Sequence, residues 1–383
     1  MKKKRKICFV IVNRANYGRV RNLMKFLIEK EFFSVQILLV SSPVLKKYGG
    51  LDKILARDKI KIEEVIYSHI EGENLITMAK STALLLQELS SSLARLKPDI
   101  VFTIGDRYES LATAIASSYL NIFLAHLQGG ELSGSIDESI RHAVTKLSNL
   151  HLACTKKSKD RIRKMGENPK FIFNVGCPSI DTIKKINFKE RVNLKKYSYG
   201  LGFKVDLKKP YYVVMIHPDT KNYEKNLKLV DEVFKSAIKL NEQVVWLWPN
   251  SDAGANIITK KMRSYREKNK KIRMNFFTNL EVSDYLKLIK NSKCLIGNTS
   301  SGIREGSYLS VPYVCVGDRQ YMRERGSNVI DCKIDSKKIL DSIKKITSKK
   351  ISKSTIYGNG RSIKKIYSIL KNINLDIHKT FYD

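Results

Sequence analysis

Long hydrophobic runs are missing from this 383-residue chain. A membrane-spanning helix needs about 20 consecutive apolar residues, and no run approaches that length although 43% of the residues are hydrophobic. The basic N-terminus, Met1–Lys6, precedes an apolar stretch, Ile7–Val12, that is too short for the core of a signal peptide. We therefore expect a cytoplasmic protein whose first strand follows a basic lead-in.

Paired cysteines are missing too. The six cysteines are scattered and none forms a CxxC pair, a spacing typical of zinc sites and redox motifs. Most of them lie in or beside apolar runs. The pattern predicts reduced, buried thiols and no metal site.

A glycine-rich dinucleotide fingerprint is also absent. The first apolar run ends in Asn13–Arg19 and leads into a helix without the GxGxxG spacing, which disfavours a nicotinamide cofactor. The same turn places Arg14 at a helix start, where backbone N–H groups and arginines favour an anion. A polar turn without a ligand is the alternative.

Acidic residues are few relative to basic ones. Lys and Arg total 71 against 37 Asp and Glu, a formal net charge of +34. Such a charge attracts polyanions, so a nucleic-acid-binding protein is one alternative, recognisable by strongly salt-dependent binding to generic DNA or RNA. The basic residues are spread along the chain without a recognition module, and an anionic nucleotide substrate would be attracted equally.

The chain does contain a regular alternation of short β-branched runs and amphipathic helical segments, of which Leu75–Leu96 is the clearest helix. This alternation predicts parallel sheets built from βαβ units. A polar, lysine-rich stretch at 181–209 separates two such series. The predicted fold class is α/β, with two Rossmann-like, doubly wound domains facing a cleft, at 1–180 and 181–365, and a helix end and tail at 366–383.

Residues 100–146 carry the strongest chemical signal. Two apolar runs end here in polar residues, and open α/β sheets bind ligands at the carboxyl ends of their strands. The possible proton-transfer groups are Asp106, His126, Glu131, Asp137, Glu138, Arg141 and His142. Their clustering at one sheet edge indicates an enzyme.

The second half offers candidates for binding a phosphate or a ribose. Gly297–Gly302 follows a strand and precedes a helix that contains Glu305, a pattern that favours a phosphate at the helix start. A capped helix without a ligand is the alternative. His217 and Asn250 end two further strands, and Arg319 lies in a charged loop suited to phosphate recognition. Structural or solvated roles for these three stay open.

Seven motifs stand out by their order and spacing: Asn13–Tyr17, Gly105–Tyr108, His126–Glu131, Ile136–His142, Gly176–Ser179, Gly297–Gly302 and Gly317–Gln320. Together they resemble the hydrolysing UDP-N-acetylglucosamine 2-epimerases of sialic-acid biosynthesis. The chain looks especially like the epimerase half of the bifunctional animal epimerase/kinase. The resemblance extends from about Lys6 to Ile373.

This resemblance implies a glycosyltransferase-B-like fold and an enzyme that uses neither a metal nor a cofactor. Family members invert C2 of the sugar, eliminate UDP to give a 2-acetamidoglucal, and add water to release free N-acetylmannosamine. By resemblance, Asp106 and Asp137 match acids assigned to catalysis. The expected substrate-binding residues are Arg14, Gln128, His217, Asn250, Thr299, Ser300, Ser301, Glu305 and Arg319.

Two departures from the family pattern matter. Gln128 stands where close relatives have a glutamate tied to catalysis, and an amide cannot serve as general acid or base. Either Glu131 takes that role or the proton route differs. Pro43 stands where several relatives have a histidine, which weakens any assignment of a sugar contact there.

The predicted function is a hydrolysing UDP-N-acetylglucosamine 2-epimerase that feeds sialic-acid-type sugar synthesis. One alternative is the same chemistry on a UDP- or GDP-linked diacetylbacillosamine in the legionaminic-acid route. Another is a glycosyltransferase of similar architecture, and non-hydrolysing epimerases, which release UDP-linked sugar, are a further relative. The expected partners are a small-molecule nucleotide sugar and other copies of the chain, in a homodimer or homotetramer, with neither nucleic acid nor membrane.

Overall fold

A computed structural model describes residues 4–44, 50–72, 74–197, 200–221, 224–250, 252–269 and 272–383. These residues form two compact units. The first unit contains the described residues up to Glu131, Ile136–Lys184 and Tyr357–Asp383, and the second contains Leu132–Ser135 and Lys185–Ile356. The chain thus leaves the first unit twice and returns to it twice.

Each unit is built on a sheet of seven strands within the described ranges. The strands of the first unit are β1 (Arg5–Ile11), β2 (Phe33–Val40), β3 (Glu64–Ile66), β4 (Ile100–Ile104), β5 (Phe123–Leu127), β6 (Leu150–Ala153) and β7 (Ile172–Asn174). They pair in the order β3-β2-β1-β4-β5-β6-β7, always in parallel.

The sheet of the second unit repeats this plan. Its strands are β8 (Leu201–Gly202), β9 (Tyr211–Met215), β10 (Gln243–Leu247), β11 (Met274–Phe277), β12 (Leu295–Gly297), β13 (Tyr313–Val316) and β14 (Val329–Cys332). They pair in the order β14-β13-β12-β9-β10-β11-β8, and β8 is antiparallel to β11.

Helices connect these strands. Those of the first unit are α1 (Arg14–Ile28), α2 (Leu51–Arg57), α3 (Leu75–Leu96), α4 (Tyr108–Tyr119), α5 (Asp137–Leu147), α6 (Lys156–Lys164), α7 (Pro178–Lys184) and α14 (Ser362–Asn372). Those of the second are α8 (Lys225–Lys239), α9 (Ala255–Lys268), α10 (Val282–Lys290), α11 (Ser300–Ile303), α12 (Glu305–Leu309) and α13 (Ser336–Thr347). In the described part of the chain, none of these helices is long and apolar enough to cross a membrane.

The predicted α/β fold class is confirmed. Strands β4 and β5 are buried at every position, which is why they read as continuous apolar runs: strands of parallel sheets are covered on both faces. Helix α3 has the predicted bounds because Asn74 and Thr77 form a capping box at its start, while Lys97 ends it with φ +46° before Pro98. All six cysteines are buried, as predicted.

The structure differs from the sequence prediction in three places. Strands β3 and β8 were not predicted, because each has at most three residues and no apolar run. The chain also returns to the first unit at Tyr357, whereas the sequence prediction assigned residues 181–365 to the second domain. Tyr357 is buried and its main-chain O accepts from Cys177 N at 2.7 Å, while the Asp181 carboxylate accepts from Ser362 N at 3.0 Å at the start of α14.

The last residues, predicted as a tail, pack against the first unit. Nζ of Lys379 lies 2.5 Å from Ser148 O just after α5 and also pairs with the Glu167 carboxylate. His151 Nε2 and Lys146 Nζ lie 3.0 and 2.7 Å from the same carboxylate. Burial alone would raise the pKa of Glu167, but these three partners lower it, while burial lowers the pKa of Lys379.

Replacing Lys379 with methionine should lower the free energy of unfolding by about 1–3 kcal/mol at pH 7, because a buried carboxylate loses one of its partners. The folded-state pKa of Glu167 is lowered, so this contribution is present above the ordinary value of 4.5 and is lost as the pH falls through the lowered value. Urea unfolding at pH 7 and pH 3 tests both points. The exposed Lys364→Met on α14 is the matched control, and equal losses in the two variants would contradict the role of the tail.

Candidate active site

Each sheet reverses its strand order at one place, and several candidate residues follow the strands on either side of that place. The reversal lies between β1 and β4 in the first sheet and between β9 and β12 in the second. Open α/β sheets bind ligands at the carboxyl ends of strands at such switch points. Arg14 and Asp106 follow β1 and β4, and His217 and Asn298 follow β9 and β12.

Asp106 follows β4 after Gly105, whose φ of +78° lies in the left-handed region that favours glycine. The guanidinium of Arg141, on α5, binds the Asp106 carboxylate: Nε lies 3.1 Å from Oδ2, and Nη2 donates to the same oxygen. Its Nη1 donates to the main-chain O of Glu131 at 2.7 Å. One side chain thus connects the end of β4, the loop after β5 and helix α5.

This pair differs in exposure: the Arg141 side chain is 1% exposed and that of Asp106 is 23% exposed. Burial alone would lower the pKa of Arg141, but the charges of Asp106 and Glu131 raise it above its ordinary value. The guanidinium therefore stays charged. Arg141 thus orients the Asp106 carboxylate, which remains accessible to solvent and hence to a small ligand.

Arg107, which follows Asp106 in sequence, has a different partner. Its Nε lies 2.9 Å from Oε2 of Glu109, and its Nη2 lies 3.0 Å from Oε1 of the same fully buried carboxylate. By charge alone, Asp106 could pair with either Arg107 or Arg141. In the structure, the Asp106 carboxylate pairs with Arg141, and Arg107 forms a bidentate pair with Glu109.

His126, on β5, is fully buried. Its Nε2 lies 2.8 Å from the main-chain O of Gly105, and its Nδ1 lies 3.3 Å from Oγ1 of Thr145. A carbonyl only accepts, so Nε2 carries the proton and Nδ1 is the acceptor. Burial lowers the pKa of His126 to about 3. These contacts favour a role in holding the Gly105–Asp106 turn, rather than the proton transfer that the sequence suggested.

Gln128 directly follows β5 with φ +75°, a conformation that costs of order 1–3 kcal/mol for a non-glycine residue and is often found at functional sites. Its buried side chain places Nε2 3.6 Å from Sγ of Cys177. A Cβ built on Gly105 would lie 3.7 Å from Oε1 of Gln128 and 4.0 Å from Nη1 of Arg19. Gln128 and Arg19 therefore lie beside the turn that carries Asp106.

The first turn of α5 holds Asp137 and Glu138, one turn before Arg141. Glu138 Oε1 and His142 Nε2 are 3.9 Å apart, and both side chains are about one-third exposed. Burial and the charge of Arg141 lower the pKa of His142. Glu131 is buried and is bound through its main-chain O by Arg141. Three of the predicted acids, Asp106, Glu131 and Asp137, thus lie close enough to the buried Arg141 for their charges to raise its pKa.

In the second unit, His217 and Asn298 are joined across the switch point. Oδ1 of Asn298 accepts from His217 N at 2.7 Å, and its Nδ2 donates to His217 O at 2.8 Å. The imidazole Nδ1 of His217 accepts from Asn250 N at 3.2 Å. Burial and the charge of Arg319 lower the pKa of His217 to about 3. The ring is therefore neutral, with its proton on Nε2.

Arg319 follows β13 and lies close to the same group. Its Nη1 is 3.4 Å from Asn298 O, and its Nη2 is 3.7 Å from a carboxylate oxygen of Asp252. Nδ2 of Asn250 donates to that Asp252 oxygen. The ends of β10, β9, β12 and β13, four neighbouring strands, thus bring polar side chains to one edge of the sheet.

The Gly297–Gly302 motif forms only a short helix. Thr299 caps α11 by accepting from Ser301 N at 3.3 Å, and Ser301 Oγ accepts from the Tyr285 hydroxyl at 3.0 Å. Ser300 begins α11, which has four residues, and the 8% exposed Glu305 begins α12. So short a helix has little dipole, and the polar groups that the motif offers to an anion are side chains and loop N–H groups.

Two further positions discussed in the sequence analysis, Arg14 and Pro43, lie in the first unit. Arg14 is the first residue of α1, whose N-cap Asn13 accepts from Asn16 N at 2.7 Å. Pro43 lies in a 3₁₀ turn that follows β2. Arg19 and Asn298 were not among the site residues predicted from the sequence. Arg19 could have been found from its place in the turn after β1, whereas nothing in the sequence distinguishes a bridging asparagine from its neighbours.

The family model for UDP-N-acetylglucosamine 2-epimerase matches residues 33–371. That span covers most of the chain. The chain belongs to this family.

Two bacterial relatives are similar over nearly their whole length. The UDP-N,N'-diacetylbacillosamine 2-epimerase (hydrolyzing) of Legionella pneumophila is 33% identical over 372 residues, 97% of either chain. The GDP/UDP-N,N'-diacetylbacillosamine 2-epimerase (hydrolyzing) of Campylobacter jejuni is 34% identical over 390 residues, 99% of either chain. The present chain is accordingly an enzyme, a hydrolysing nucleotide-sugar 2-epimerase.

A solved structure shares the fold. The UDP-GlcNAc 2-epimerase of Methanocaldococcus jannaschii, in complex with UDP-GlcNAc and UDP, superposes with a TM-score of 0.79 at 18% identity, covering 95% of this chain and 99% of that one. The glycosyltransferase-B-like fold expected for this epimerase is confirmed. Within the described ranges, no group of three or more His, Cys, Asp or Glu side chains is arranged to hold a metal ion.

The imidazoles of His126 and His217 should stay neutral down to about pH 5, because burial lowers the pKa of each to about 3. Two-dimensional NMR of ¹⁵N-labelled imidazoles across pH 5–8 measures this, and His126→Gln and His217→Gln assign the signals. A titration midpoint between pH 6 and 7.5 for His126 would contradict its placement and return it to the candidates for proton transfer.

Proposed function

We propose that this epimerase acts on UDP-linked N,N'-diacetylbacillosamine and releases the free 2-epimer of that sugar together with UDP. The observation that carries this proposal is the similarity to two enzymes named for that sugar, each over at least 97% of its length. These relatives favour a diacetylbacillosamine substrate, which is an alternative prediction from the sequence, over UDP-N-acetylglucosamine, which is the main one. The two sugars differ at C4 and C6, whereas the reaction breaks and forms the same bonds in both. Substrate specificity therefore depends on the contacts that the enzyme makes with C4 and C6.

The reaction makes three demands on the site. A base must remove the weakly acidic proton at C2, and the C1–O bond must break with UDP as leaving group, which gives a C1–C2 double bond. Water then adds at C1, and a proton is delivered to C2 from the opposite face. A positioned acid or base contributes about 10²–10⁴-fold to such steps.

Asp106 is the best placed proton-transfer group. Its carboxylate is oriented by Arg141 yet 23% exposed, and it lies at the switch point of the first sheet. Asp137 and Glu138, on the first turn of α5, are partly exposed and are the further candidates. Gln128 cannot transfer protons in this way, so we assign it to orienting the sugar, and we place Glu131 as the acid that substitutes for it.

The remaining candidates are assigned to UDP. His217 offers an Nε2–H donor from a neutral ring, Arg319 offers a cation beside it, and Glu305 offers a carboxylate for ribose hydroxyls. The other proposed nucleotide contacts are Arg14, Asn250, Thr299, Ser300 and Ser301. Arginine N–H groups and backbone amides suit the charge that develops on the leaving diphosphate.

With purified enzyme, UDP-N,N'-diacetylbacillosamine should give UDP and the free 2-epimerised sugar, with kcat/KM at least tenfold above that for UDP-N-acetylglucosamine. In D₂O the product should carry deuterium at C2, because the original proton is removed. NMR of the released sugar and nucleotide measures both, and the GDP-linked sugar is the comparison for the nucleotide. Intact nucleotide-linked epimer as sole product, or protium retained at C2, would overturn the proposal, and preference for UDP-N-acetylglucosamine would restore the first expectation.

Asp106→Asn should lower kcat by about 10²-fold or more while leaving the Kd for UDP within about threefold, because the amide keeps the shape but not the proton transfer. Asp99→Asn is the matched control: its carboxylate accepts from Lys6 N at 2.7 Å just before β4, at the opposite end of that strand.

The same assay separates the other acids. Glu131→Gln should lower turnover similarly, whereas Gln128→Glu should stay within roughly tenfold of wild type. Near-normal turnover of Glu131→Gln would remove Glu131 from the mechanism and leave Asp106 with Asp137 or Glu138 as the working pair.

A further inference from the structure

Asn298 lies at the point of the second sheet where the strand order reverses. It follows β12 directly, and the preceding Gly297 has φ +141°. A Cβ on Gly297 would lie 1.9 Å from Met215 O at the end of β9, so the two strand ends approach each other closely here. Asn298 is 2% exposed, and its amide is turned toward the neighbouring strand end rather than toward solvent.

The side-chain amide of Asn298 forms both of its hydrogen bonds with the main chain of His217. It accepts from His217 N at 2.7 Å and donates to His217 O at 2.8 Å. This reciprocal pair fixes the main chain of His217 on both sides of its Cα. Since Asn250 N holds Nδ1 of the same imidazole, the direction of the Nε2–H donor is set from two neighbouring strand ends.

The main-chain carbonyl of Asn298 contacts two side chains that follow β13. It accepts from Gln320 Nε2 at 3.1 Å and from Arg319 Nη1 at 3.4 Å. Gln320 is itself 2% exposed. One residue therefore connects the ends of β9, β12 and β13, and two of the side chains that it orders are proposed UDP contacts.

We infer that Asn298 is a positioning residue of the nucleotide site, which sets His217 and Arg319 in the geometry that binds the diphosphate of UDP. This inference rests on the proposed function, because it takes UDP as the ligand of these side chains. Buried amides fully used in such networks hold one geometry, and their loss leaves buried groups unpaired. Nucleotide affinity should therefore fall more than stability alone explains.

The test compares Asn298→Leu with Gln243→Met. Both changes replace a buried amide by an apolar side chain of similar size, and Gln243 makes the same reciprocal pair with Asp206, accepting from its N at 2.7 Å and donating to its O at 2.9 Å. Gln243 begins β10, however, at the end of the strand far from His217 and Asn250. The two variants should lose comparable stability in urea unfolding.

Calorimetric titration with UDP then decides. Asn298→Leu should raise the Kd for UDP at least tenfold and raise KM more than it lowers kcat, whereas Gln243→Met should bind UDP as wild type does. A double variant with His217→Ala should lose less affinity than the sum of the single losses, because both act through the same ring. Unchanged UDP affinity in Asn298→Leu would overturn the inference, as would equal losses in both amide variants.

Two other outcomes are possible: the wild-type protein does not bind UDP, or the Asn298→Leu variant does not fold. Wild-type protein that fails to bind UDP would count against the proposed function and not against Asn298 specifically. If Asn298→Leu does not fold, the smaller and uncharged Asn298→Ser removes both side-chain hydrogen bonds to the His217 main chain without adding charge. That variant should still weaken UDP binding, and wild-type affinity there would overturn the inference.

Discussion

The first unit depends on one buried cation. The guanidinium of Arg141 is shielded from water, and a buried charge is tolerated only when its hydrogen bonds and counter-charges are complete. Asp106 and the Glu131 carbonyl supply them. The guanidinium therefore connects three segments that span 35 residues of the sequence. The ion pair that compensates the buried charge of Arg141 also orients the Asp106 carboxylate.

The second unit joins its strand ends at the switch point in a different way. A neutral asparagine and a neutral histidine hold its strand ends together, and the cation Arg319 lies at the margin, 13% exposed. This difference suits the two tasks that we propose. Proton transfer needs carboxylates in a set electrostatic environment, whereas a diphosphate needs N–H donors, which His217 and Arg319 supply.

Much of the fold was predictable because its strands are buried on both faces and its main helix has clear ends. Asp106 and Glu131 could be found because polar residues that interrupt apolar runs are conspicuous. The partner of Asp106 could not be found, since Arg107 and Arg141 are equally basic and only packing places Arg107 on Glu109. Asn298 and Lys379 were missed for a related reason: their roles come from contacts with residues 81 and 212 positions away, which no local pattern records.

The excursion of Leu132–Ser135 into the second unit has a consequence for dissecting the protein. Gly134 N donates to Arg319 O at 3.1 Å, and a Cβ on Gly134 would lie 1.8 Å from Asp318 O. The chain crosses between units at 131/132, 135/136, 184/185 and 356/357. A gene cut at the most obvious junction, 184/185, would yield one fragment without α14 and the tail, and another without the tetrapeptide that packs beside Arg319. Neither unit is encoded by a contiguous stretch, so a fragment that begins or ends at 184/185 leaves both units incomplete.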